Sequence, residues 1–166
     1  ANTSWTATPT CDLEDGKYIW RGWSGFVKSD GTRVWSQPAN WQSFEVDTTP
    51  PTVPQNITLS CNTDDNTLTI DWDESTDSGC AGMPAPDARY GPYAIQIALD
   101  DSFQNILPDP KGWTHQKPVT VSGINCSQPY YARVKARDSL WNVSDWSDTA
   151  RWEPLYIISI DPDPPS

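Results

Sequence analysis

The 166-residue chain holds one His and one Met. A lone imidazole, His115, leaves no pair for acid–base relay or metal capture. The four cysteines (Cys11, Cys61, Cys80 and Cys126) include no Cys-x-x-Cys pair. That spacing speaks against a zinc site and a thioredoxin-type redox motif. Basic residues are scarce, 11 against 22 acidic ones, for a net charge of −11. Such a chain does not seek nucleic acid or an anionic membrane. No apolar run approaches the roughly 20 residues of a spanning helix, so no membrane insertion by this segment is expected. No glycine-rich phosphate loop is present. The acid pairs Asp64/Asp65 and Asp100/Asp101 read as solvated turn residues, not a glycosidase pair. No Ser or Cys nucleophile can be matched to His115, and the chain is read as non-enzymatic, with no cofactor required.

Against these absences stand ten Trp and 16 Pro. Proline at this level breaks helices, whereas Trp, Tyr, Thr and Val favour strands. The expectation is an all-β chain with a modest core. An even number of cysteines permits two disulfides, and with them an extracellular or cell-surface location. Four Asn-x-Ser/Thr sequons (Asn2, Asn56, Asn125 and Asn142) point the same way as candidate glycosylation sites. The first residue is Ala1, so either a leader was removed or the chain is a piece of a longer polypeptide.

The chain also repeats itself. Ser4-Trp5-Thr6 through Asp47-Thr48-Thr49-Pro50-Pro51 parallels Gly112-Trp113-Thr114 through Asp161-Pro162-Asp163-Pro164-Pro165. Each copy has a Cys ahead of a Tyr- and Arg-containing strand (Tyr18 to Arg21; Tyr130 to Arg133). A Trp-Ser pair follows (Trp35-Ser36; Trp146-Ser147), then a second Trp (Trp41; Trp152). Only the second copy is preceded by further strand-like segments, in 52–111. There, side chains alternate with period two: Ile57/Leu59/Cys61, Leu68/Ile70/Trp72, Tyr93/Ile95/Ile97/Leu99, Val119/Val121 and Tyr130/Ala132/Val134/Ala136. A last strand is expected within 151–160. Six or seven short strands in about 110 residues predict a two-sheet sandwich.

Tyr130-Tyr131-Ala132-Arg133-Val134-Lys135-Ala136-Arg137-Asp138, followed by Asn142-Val143-Ser144-Asp145-Trp146-Ser147, resembles the last two strands of fibronectin type III domains. The Val46-to-Pro51 linker looks like the joints between such modules in large bacterial surface proteins. The resemblance implies an Ig-like β-sandwich, with Trp72 as its core Trp and Tyr130 at a tyrosine corner. It divides the chain into the C-terminal half of one module (1–48), an Asp/Pro linker (49–54), a complete module (55–160) and the start of another linker (161–166).

In that topology Cys61 and Cys126 share the lower end of the module, which implies a Cys61–Cys126 bridge. Cys11 and Cys80 would then bridge the joint between modules. Two other pairings of the four cysteines stay open. Acids also gather at the joint: Asp47 from the linker, Asp73, Glu74, Asp77 and Asp87, then Asp138, Asn142 and Asp145. Asp47, Asp77, Asp138, Asn142 and Asp145 are the candidate Ca2+ ligands, with a solvated acidic surface as the competing reading. Arg133, Lys135 and Arg137 with Trp141, Trp146 and Trp152 resemble the Trp/Arg ladder of cytokine-receptor domains. Trp146-Ser147 matches half of the WSxWS motif of that branch. Trp20-Arg21-Gly22-Trp23 fits a C-mannosylation pattern.

Residues 1–48 cannot bury their apolar face (Tyr18, Trp20, Val34, Phe44, Val46) unaided. Upstream strands or another copy, arranged head-to-tail, would have to cover it. The functional expectation is a stiff tandem-repeat rod in an extracellular surface or fibre-forming protein. The alternatives are a glycan- or protein-binding adhesin or receptor ectodomain, and an accessory module of a secreted glycosidase.

Overall fold

A computed structural model describes residues 13–108 and 111–155. The expectations placed on Asn2, Cys11 and residues 156–166 lie outside them. The described residues form ten strands and no helix.

Six strands build the sandwich. β5 (Gln55–Asn62), β6 (Thr67–Asp73) and β8 (Val119–Ser122) form one antiparallel sheet in the order β5-β6-β8. β7 (Tyr93–Ala98), β9 (Tyr130–Ala136) and β10 (Ala150–Trp152) form the other in the order β10-β9-β7. Alternation dictates the packing, because every second side chain of a strand points to one face. Leu68, Ile70 and Trp72 of β6 thus meet Ile95 and Ile97 of β7, Val119 of β8 and Val134 of β9 in one buried cluster. Each such aliphatic side chain stabilises the fold by about 1.5–3 kcal/mol. Trp72 meets Tyr93 edge-to-face at 5.2 Å, and the Tyr93 hydroxyl accepts from Ser75 N–H at 2.8 Å.

Leu99 departs from its expected inward place and is exposed. β7 stops at Ala98 because the Asp100 carboxylate gathers the Ser102 hydroxyl and the N–H groups of Gln104 and Asn105 into a tight turn. Those bonds hold Asp100 well below the usual carboxylate range. Tyr130 closes a local corner, its hydroxyl accepting from Asn125 N–H at 3.1 Å and from Gln128 Nε2 at 2.8 Å. Cys61 of β5 and Cys126 of the loop before β9 are joined by a disulfide.

Residues 16–46 make a separate ribbon. β1 (Gly16–Trp20) pairs with β4 (Gln42–Val46), and β2 (Gly25–Val27) pairs with β3 (Arg33–Trp35). The two pairs are consecutive stretches of one long hairpin, interrupted at 21–24 and 36–41. Four short strands therefore make up this stretch. Gly25 is needed there: a Cβ would sit 2.6 Å from the Trp35 ring, which lies across it. Tyr18 stacks on Phe44 at 5.3 Å, yet Trp20, Phe26 and Phe44 are 55%, 62% and 41% exposed. Among the described residues no second sheet covers this ribbon.

Candidate functional site

The outward face of β9 carries the cations. Arg133 Cζ lies 4.0 Å from the Phe103 ring and 4.7 Å from Trp146. Lys135 Nζ lies 4.7 Å from Trp146 and 5.8 Å from Trp113. Arg137 Cζ lies 5.5 Å from Trp113 and 3.8 Å from Trp141. Cations and rings thus alternate in one stack, which Tyr90 extends by meeting Trp141 edge-to-face at 5.9 Å. Arg133 also donates Nε and Nη2 to Gln96 Oε1 of β7. Arg137 is buried and donates to the carbonyls of Gly91, Asp138 and Tyr90. Burial pulls its guanidinium below the ordinary value, opposed by the charge of Asp138.

The stack differs from the sequence expectation in three places. Trp152 is not in it. Paired opposite Tyr130, it packs on the hydrophobic core. Phe103 and Trp113 are in it, although both sit on loops where strand periodicity gives no cue. Trp41, aligned with Trp152 by the repeat, takes the ladder role in the ribbon: Arg21 lies 4.3 Å from Trp41 and 5.1 Å from Trp23.

Two serines stitch the loop after β9 to that strand. Ser147 Oγ accepts from Val134 N–H at 3.0 Å, and Ser147 N–H donates to Val134 O at 2.8 Å. Ser144 does the same with Ala136. The ribbon repeats the device once, between Ser36 and Ser24. The sequence reading singled out Ser147 alone, because Val143 replaces the aromatic residue that would have marked Ser144.

The linker is the second feature. Asp15 accepts from Thr48 N–H and from the hydroxyls of Thr48 and Thr49, at 2.9–3.0 Å. The Thr48 N–H bond and then the Thr49 hydroxyl are the main causes that lower its pKa. Asp47 is buried; its carboxylate accepts from Thr49 N–H and Ala81 N–H, and its carbonyl from Asn142 Nδ2. Cys80 Sγ donates to Val46 O, and Thr52 N–H to Thr76 O. Cys80 is a free thiol here, in contrast to the expected Cys11–Cys80 bridge, whose other half is not described.

Of the candidate cation ligands, Asp47, Asp77 and Asp138 converge, with one carboxylate oxygen of each within 4.8 Å of the others. Asn142 joins them through Nδ2, which donates to Asp138 Oδ2 at 2.6 Å. Asp145 is exposed and stands apart from the cluster. The same bonds occupy the Asn142 sequon amide, and Asn56 Nδ2 is bonded to Asp73. Asn125 lies exposed, its Oδ1 accepting from Ser127 N–H.

No family model matches the chain, and no curated protein matches it. Its structure is similar to that of a Fn3-like protein from Clostridium thermocellum, at 17% identity over 61% of this chain and 90% of that one, TM-score 0.41. A myokine is similar at 15% identity over 64% of this chain and 99% of its own, TM-score 0.43. The sixth fibronectin type III domain of human fibronectin type III domain containing protein 3 is similar at 14% identity, over 66% and 92%, TM-score 0.41. Two facing antiparallel sheets, ordered β5-β6-β8 and β10-β9-β7, make the module that spans residues 55–152 a fibronectin type III-like β-sandwich.

Proposed function

We propose that the chain is a non-enzymatic structural segment of an extracellular surface or fibre protein, acting as a stiff joint in a tandem array of sandwich modules. One observation carries this reading: the linker between ribbon and module is pinned from both sides. Asp15 of the ribbon holds Thr48 and Thr49, while the 76–81 loop and Asn142 of the module hold Val46, Asp47 and Thr52. A flexible tether would leave those backbone groups to water. The ribbon's uncovered apolar side chains fit the same reading, as the closing hairpin of a preceding module. The ladder serves it as well, because alternating cations and rings brace the β7-β9 face against bending.

Backbone 15N relaxation of the full chain tests the joint. Amides of β1–β4 and of β5–β10 are expected to share one rotational correlation time. The double variant Asp15→Ala, Asn142→Ala is expected to give β1–β4 a shorter one. Separate correlation times in the unaltered chain would end this reading.

A second reading is favoured by one feature. Trp23 and Trp35, 51% and 63% exposed, line an open groove with Ser36, Gln37 and Pro38. Exposed indoles stack on pyranose faces, so this groove is where a glycan-binding role would reside. Perturbation of the Trp23 and Trp35 indole N–H signals by oligosaccharides would support it.

A further inference from the structure

β1 and β4 divide their side chains between two faces. Opposed residues of an antiparallel pair share a face, so the register groups Tyr18, Trp20, Phe44 and Val46 on one side and Lys17, Ile19, Ser43 and Glu45 on the other. The second side is a solvated one. Lys17 pairs there with Glu45 at 2.9 Å, and Arg21, two residues past Ile19, stacks on Trp23 and Trp41. The first side has the make-up of a core. Period-two counting carries it past the interruption to Phe26, which stands opposite Val34. Yet Trp20, Phe26 and Phe44 are exposed. A two-stranded ribbon is at best marginally stable without a covering layer.

Area, charge and shape bear on what covers it. At about 150–250 Å² per ring, the exposed parts of Trp20, Phe26 and Phe44, with half-buried Tyr18, Val34 and Val46, leave on the order of 400 Å² of apolar surface. Two such faces laid together remove about 800 Å² from water, the range of weak, reversible complexes. Residues 13–46 hold four basic and four acidic side chains, so the ribbon is neutral while the chain carries −11. Two copies repel through their acidic modules, and the ribbons are the parts that meet without that cost. Gly22 lies between Trp20 and Phe26, and a Cβ there would meet nothing within 4 Å. A face with a ring, a gap and a ring is complementary to itself turned through a two-fold axis.

We infer that two copies of the chain pair through this face, ribbon against ribbon. The pair makes a two-layer sandwich from two open ribbons, with the rings of one copy seated beside Gly22 of the other. The module β5–β10 of each copy then points outward, which keeps the acidic surfaces apart. The pairing goes beyond the reading of a stiff joint and does not rest on it.

Sedimentation equilibrium of the full chain from low to high micromolar concentration tests it. A reversible monomer–dimer equilibrium is expected. Added NaCl is expected to strengthen the dimer, because salt screens the repulsion between acidic modules. Trp20→Glu is expected to weaken it about tenfold or more, whereas Ile19→Glu, which adds the same charge on the opposite face, is expected to change it little. Should Trp20→Glu unfold the ribbon, NOEs between isotope-labelled and unlabelled copies of the unaltered chain read the interface. They are expected at the rings of Trp20, Phe26 and Phe44. A monomer throughout would overturn the inference and leave the cover to residues 1–12 or 156–166 of the same chain, or to another polypeptide. A dimer that salt dissolves would overturn it too, as would one that a folded Trp20→Glu leaves intact or one whose intermolecular NOEs fall on Trp23 and Trp35. Rigidity between ribbon and module is read separately, by the relaxation measurement.

Discussion

At positions 144 and 147 a serine hydroxyl stands where a neighbouring strand would present a carbonyl. The N–H groups of Ala136 and Val134 are buried and have these hydroxyls as their acceptors. Ser147→Ala is therefore expected to cost about 1–3 kcal/mol, the range for stranding a buried donor, as read by denaturant unfolding. Ser147→Thr, which keeps the oxygen, is expected to cost less. Asp15 provides a pH-dependent contact of a different kind. Its pKa is lowered in the folded state by the Thr48 and Thr49 bonds. Its contribution is thus complete above the unfolded carboxylate value of about 4 and is lost as the pH falls through the depressed value. Hydrogen exchange at Thr48 N–H should accelerate, relative to its intrinsic rate, only in that acid window. An unchanged protection factor there would show that Asp15 does not hold the linker. Residue-scale detail was unevenly legible. Asp47, Asp77 and Asp138 could be grouped in advance because the assumed topology puts their loops at one pole. Asp15 could not, since its role depends on how the ribbon turns back on the linker.

Strands were the most legible elements. Period-two alternation marks β5 to β9 because each has one face in the core and one toward solvent, and the burial of β6, β7 and β9 follows that alternation. The cations of the ladder were legible along β9, where Arg133, Lys135 and Arg137 are two residues apart, and Trp141 and Trp146 were expected from the resemblance and stand in the stack. Phe103 and Trp113 were missed because they sit on loops, and loops carry no period. Trp152 was misplaced because a Trp near the last strand looks alike whether it faces the core or the cations; pairing with Tyr130 settles the face. The ladder carries its own prediction. Trp146 is the ring shared by Arg133 and Lys135, and each exposed contact of this kind contributes about 0.5–1 kcal/mol. Trp146→Ala is expected to destabilise the module by about 2 kcal/mol or more once lost ring packing is included. Trp141→Ala should leave Arg133 and Lys135 stacked, and a thermal unfolding series would separate the two.

For the whole molecule, the Cys61–Cys126 bridge closes a loop with a sequence separation of 65. Restricting the unfolded chain over that length is worth about 4 kcal/mol, so the Cys61→Ser, Cys126→Ser pair is expected to unfold at markedly lower denaturant. An unchanged midpoint would count against the bridge as a stabilising link. The ribbon has a consequence for assembly. If β1–β4 is the closing hairpin of a preceding module, as proposed above, residues 13–155 carry two such hairpins, β1–β4 and β9–β10, to one set of opening strands, β5 to β8. Strand exchange among identical copies would then leave one hairpin per chain without an opening set, so a second copy could cover the ribbon only by laying a face against it.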